Sequence, residues 1–156
     1  MKLFALLITI LLSVSCNGSR TEEFVTYIRS ADELFRQGKD EQAMNALVKA
    51  EKCYDDDIPS SALGSLKMRK GDIYYRYFDY AEAIGSYEEG AEIFLASGDT
   101  LNYCNALLLL CDASILNLDA SRANKCISIM KENARFYHGQ SEHAYHLCRI
   151  KLTELE

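Results

Sequence analysis

The sequence predicts an all-α chain, an α-solenoid of three helical hairpins in tandem closed by one further helix. Three observations predict it. Apolar residues recur at 3.6-residue spacing for about four turns, stop at a short polar turn, and resume. The pattern repeats with a period of 40 residues, which brings alanine to Ala43, Ala83 and Ala123. Finally, 49% apolar residues with one proline and 8 glycines in 156 residues describe a chain that folds, neither disordered nor fibrous.

The first residues stand outside this pattern. Lys2 precedes an apolar run from Leu3 to Leu12, broken only by Thr9, and Ser13-Val14-Ser15-Cys16 follow. That is the plan of a secretory signal peptide over residues 1–16, too short to span a bilayer, which takes roughly 20 apolar residues. Small residues ahead of Cys16 resemble the lipobox of bacterial lipoproteins, although Ser13 stands where leucine is usual. The resemblance implies acylation of Cys16. The same residues also suit ordinary cleavage before Cys16. Residues 17–22, opening Asn-Gly-Ser-Arg, read as a polar tether, and residues 23–156 as the repeat domain.

Within that domain the predicted helices lie near 21–37, 40–54, 61–77, 80–97, 100–117, 120–136 and 141–155. Turns inside the hairpins fall at Gln37-Gly38-Lys39, Phe78-Asp79 and Asn117-Leu118-Asp119. Glycine C-caps and Ser, Asp or Thr N-caps separate the copies at 55–61, 97–99 and 138–141. Small residues recur at Ala31, Gly71 and Cys111, with Ala46, Ser86 and Cys126 expected opposite them. The last helix, with Tyr145, Leu147, Ile150 and Leu152, fits as a cap on the third hairpin or as the first half of a fourth.

The stretch Gly71 to Phe94, GDIYYRYFDYAEAIGSYEEGAEIF, resembles a tetratricopeptide repeat at Gly71, Tyr74, Ala83 and Tyr87. The first copy matches at Ala31, Leu34, Ala43, Leu47 and Ala50, and the third, more weakly, at Ala123 and Ile127. The copies lack the family's tryptophan and closing proline, and are longer than its usual repeat. Stacked hairpins bury together the apolar faces that one hairpin leaves exposed.

Charge follows the same period. Asp32, Asp72 and Asp112 share one column; Arg29 and Arg69 precede it by three residues, and Arg36 and Arg76 follow by four, which places them on one helix face. Beside them run Ile28, Met68 and Leu108, and then Phe35, Tyr75 and Ile115. The resemblance implies that this face is the concave groove in which tetratricopeptide proteins bind an extended peptide or a partner helix. The competing reading is a self-satisfied surface network of Arg and Asp beside ordinary core residues. Family members that clamp a terminal carboxylate carry asparagine in the aspartate column, so that specificity is not implied here.

Other chemistries find little support. A net charge of −6, from 17 basic and 23 acidic residues, disfavours nucleic acid and would not draw the chain to acidic lipid. His143 and His146 are three apart on one helix, but no carboxylate or cysteine completes a metal site with them or with His138. No phosphate loop, nucleophile elbow or zinc-protease motif occurs, so neither an enzyme nor a cofactor is expected. The six cysteines form no CxxC pair. Cys104 and Cys111 lie roughly 10 Å apart along one helix, beyond disulfide reach. Cys111 with Cys126 is the feasible bridge, the alternative being small core residues, and Cys53 and Cys148 have no evident mate. The Tyr74, Tyr75, Tyr77 and Tyr80 cluster reads as inter-helix packing before a ligand box.

The expected function is a protein-interaction scaffold of the bacterial cell envelope, exported and lipid-anchored, with Asn17 after Cys16 favouring the outer membrane. The alternative is a sensory or regulatory input domain, because long repeats of this type resemble the periplasmic halves of membrane-bound transcriptional regulators.

Overall fold

The computed structural model describes residues 20–155, so the leader, with Cys16, and residues 17–19 of the tether lie outside the described residues. Among the described residues the chain is all-helical, with no strand. It divides into two compact units that meet at Pro59 and Ser60.

In the first unit α1 (20–36) and α2 (Asp40–Cys53) form a hairpin. Alanine and leucine at Ala43, Ala46, Leu47 and Ala50 give α2 one buried stripe. The ends of the two helices are tied by a Phe24–Tyr54 ring contact at 6.2 Å, by the Cys53 thiol donating to Glu23 at 3.6 Å, and by Arg20 beside Asp55 at 3.9 Å.

The second unit holds α3 (Ser60–Arg76), α4 (Tyr80–Ala96), α5 (Thr100–Leu116), α6 (Ala120–Glu132) and α7 (Gln140–Leu155). Consecutive helices from α3 to α6 pack on one another, and α7 lies on α5 and α6. Glycine makes the α3–α4 contact close: a Cβ on Gly64 would sit 2.9 Å from the Phe94 ring, and one on Gly90 would sit 2.7 Å from Met68 Sδ. Gly71 meets Tyr87, a large residue, where the small Ser86 was expected. Helix α5 is buried on nearly every side, which suits a helix enclosed by α4, α6 and α7.

The turns explain the repeat frame. Asp79, Asp99 and Asp119 each cap the following helix by accepting from the backbone N–H three residues on, at 3.3, 3.2 and 2.9 Å. Their own N–H groups close the preceding helix on Tyr74, Phe94 and Ser114 carbonyls at 3.0, 2.9 and 2.8 Å. The residue before each aspartate takes a left-handed conformation, φ 61° at Phe78, 73° at Gly98 and 59° at Leu118. In the first hairpin Gly38 occupies the same place, with φ 71°. Phe78 and Leu118 are bulky there, and 77% and 75% exposed, so they carry backbone strain with little burial in return. Phe78→Gly and Leu118→Gly should each raise stability by about 0.5–1 kcal/mol in urea unfolding, the relief of strain exceeding the added freedom of the unfolded chain. A lower midpoint in either variant would contradict this account of the turns.

Two further expectations are corrected. The predicted helix over 120–136 ends at Glu132, because the Asn133 side chain donates to the Ile129 carbonyl at 2.9 Å and a short 3-10 turn, Ala134–Phe136, redirects the chain. Tyr137 is thereby buried, with its hydroxyl donating to the Cys104 carbonyl at 3.1 Å. On α7, Cys148 and Leu152 face inward, whereas Leu147 and Ile150, expected in the seam, are 42% and 56% exposed.

Candidate partner-binding surface

The two units are taken in turn. On α1, Ile28, Asp32 and Phe35 are half-buried, and Arg29 and Arg36 are exposed. Arg36 pairs with Glu33 at 2.5 Å, on side chains 70% and 51% exposed, a pair worth under about 1 kcal/mol in water.

In the second unit the aspartates of α3 and α5 have distinct surroundings. Asp72 accepts a hydrogen bond from the Tyr87 hydroxyl of α4 at 2.9 Å, and the charges of Arg69 and Arg76 act on it from the turns before and after. Burial nevertheless holds the Asp72 carboxyl above its ordinary value, outweighing the Tyr87 hydrogen bond and both arginines. The Tyr87 hydroxyl is in turn pushed well above the usual tyrosine range by its burial and by Asp72. Arg69 donates to the Ser65 carbonyl at 3.2 Å. Met68 and Tyr75, half-buried, pack against the core beside this group.

Asp112 is engaged from within the chain. It accepts from the Tyr75 hydroxyl at 2.5 Å and from the Lys151 ammonium of α7 at 2.6 Å. Tyr75 also meets Tyr80 edge-on, with ring centroids 5.5 Å apart. Leu108 and Ile115 are buried in the core. The α5 positions named from the sequence are therefore partly or wholly covered, and Asp72 with Met68, Arg69, Tyr75 and Arg76 remains as the α3 surface.

Two partners in this arrangement escaped the sequence reading. Tyr87 entered only as a match to the tetratricopeptide pattern, which says nothing of its hydroxyl. Lys151 lies outside the three copies, so no 40-residue spacing points to it.

A cavity of about 140 Å³ opens between α4, α5 and α6, lined by Leu95, Leu107, Leu110, Cys126 and Ile129 among others. Arg122 spans its rim, pairing with Glu88 and, at 3.1 Å, with Asp119. Among the described residues no group of three or more His, Cys, Asp or Glu side chains is placed to hold a metal ion, and no helix is long and apolar enough to cross a membrane.

Compared with known proteins, the chain matches no family model, no curated protein and no solved structure.

Proposed function

We propose that the chain is a protein-interaction scaffold of the bacterial cell envelope, with tetratricopeptide-like hairpins that hold a partner's peptide or helix. Export and a lipid on Cys16 would place it at a membrane, most simply the outer one. The observation that carries the reading is Asp72. A carboxylate kept partly buried, against its own preference for water, contributes poorly to stability and suits recognition. Its setting fits a basic or amphipathic segment: a fixed negative charge held by Tyr87, flanked by Arg69 and Arg76 and bordered by the apolar surfaces of Met68 and Tyr75. The α1 positions Ile28, Arg29, Asp32, Phe35 and Arg36 form a second candidate surface of like composition.

Asp72→Asn separates this reading from a purely structural role. The amide still accepts from Tyr87, so the melting temperature should stay level or rise. Crosslinking in native envelopes, read by mass spectrometry, should show the wild type joined to a defined partner and the variant joined several-fold less, with the wild-type yield falling as salt rises. Unchanged crosslinking in the variant at every salt concentration would rule the α3 surface out.

A further inference from the structure

We propose that Cys111 and Cys148 are a disulfide-forming pair that covalently fastens α7 to α5. The five described cysteines, Cys53, Cys104, Cys111, Cys126 and Cys148, are all free thiols in this structure. Two of them, Cys111 and Cys148, lie on the packed helices α5 and α7, both buried, at 0% and 4% exposure, within one apolar cluster, and each thiol acts on the ionisation of the other. The neighbouring residues fix the register independently. Asp112, next along α5, receives the Lys151 ammonium, one turn after Cys148 on α7, at 2.6 Å. That contact sets α7 against α5 in the register that brings Cys148 towards Cys111.

Cys126, the mate suggested by hairpin geometry, is placed differently. It lines the cavity between α4, α5 and α6, while Cys111 also directs its thiol to the Ala123 carbonyl at 3.7 Å. The thiols of the pair are unequal as well. The nearby Cys148 thiol and burial hold Cys111 above the ordinary cysteine value, while Cys111 in turn holds Cys148 below it. Cys148 is therefore the thiolate that attacks first.

The oxidant is a disulfide, either small and soluble or carried by a thiol oxidoreductase. As α7 settles during folding, the Cys148 thiolate attacks one sulfur of that disulfide, forming a mixed disulfide and releasing one thiol. Cys111 then gives up its proton and attacks Cys148 Sγ, releasing the second thiol. Two electrons and two protons pass from the pair to the oxidant. The ring closed between residues 111 and 148 contains α6 and the 3-10 turn, a loop long enough for cross-linking to restrict the unfolded chain strongly. Lys151 is thereby kept over Asp112.

The test uses the purified full chain, folded from the reduced state with and without oxidised glutathione. The expected product has lost two hydrogens, yields a Cys111–Cys148 linked peptide on digestion without reductant, and melts roughly 10 °C higher than the reduced chain. Cys126→Ser should keep all three properties, and Cys148→Ala should lose them. A Cys111–Cys126 linkage, glutathione adducts alone, or no change in mass would overturn the proposal. The mapping is made on the wild type, so it decides the matter even where a variant folds poorly.

Discussion

Gly71→Leu is expected to lower stability by about 3 kcal/mol, the upper part of the range for overpacking a close-packed contact. Even a Cβ at this position would intrude on the Tyr87 ring. That ring cannot step aside: Tyr87 is 1% exposed, and its hydroxyl is bound to Asp72 at 2.9 Å. The better helix propensity of leucine, worth about 1 kcal/mol over glycine, offsets only part of the clash. Gly85→Leu isolates that part. Gly85 lies on α4 with open space where its Cβ would go, so the same substitution there should raise stability by about 0.5–1 kcal/mol. Urea midpoints moving in opposite directions would support the close α3–α4 contact; two equal shifts would sink it. Because the clash displaces Tyr87, Gly71→Leu should also disturb Asp72, so stability and partner capture should fall together in this variant and separate in Asp72→Asn.

The helices and their turns were legible because they rest on local chemistry. Aspartate caps the next helix at Asp79, Asp99 and Asp119, so the signal returns every 20 residues, twice in each 40-residue period. What was not legible is tertiary. Helix α6 was expected to run on to residue 136, because an asparagine such as Asn133 is only a weak local stop; its side chain closes the helix on the Ile129 carbonyl, and Tyr137 beyond it is held by its hydroxyl on the Cys104 carbonyl at 3.1 Å. The exposed Leu147 and Ile150 misled in the same way, since 3.6-residue spacing fixes a stripe but not which side of it meets the core. For the candidate surface, the period brought out the aspartate column and its flanking arginines. It could not distinguish Asp72, supported by a neighbouring tyrosine, from Asp112, whose cation arrives from a helix outside the period. The cysteines show the same limit. Cys148 had no mate in sequence terms, because the fold alone brings α7 back onto α5.

Asp112→Ala should cost about 2 kcal/mol, more than any exposed acidic residue of the chain, because it removes an acceptor that two helices share. The larger share belongs to Tyr75, half-buried and bonded at 2.5 Å; the Lys151 pair, with a lysine side chain 43% exposed, is screened by water and adds under about 1 kcal/mol. The lysine's share can be followed by pH. The hydrogen bond from Lys151 to Asp112, helped by the carboxylate's charge and opposed by burial, raises the ammonium above its ordinary 10.5. The folded chain therefore keeps this proton at pH values where the unfolded chain has begun to lose it. The stabilisation is whole below the unfolded value and disappears as pH rises through the folded one. Lys151→Met should accordingly differ from wild type by a constant small amount from neutral pH to about 9, and by progressively less above about 10.5. The Tyr75 bond obeys the same rule, since burial first, and then the bond itself, hold the Tyr75 hydroxyl protonated far above the usual tyrosine range while the unfolded chain releases that proton near 10. Tyr75→Phe should thus keep its larger difference from wild type from neutral pH to about 9 and lose it progressively above about 10. If Asp112→Ala costs less than about 0.5 kcal/mol, or if the lysine and tyrosine variants both match wild type at neutral pH, Asp112 is an ordinary solvated residue and α7 is not fastened there.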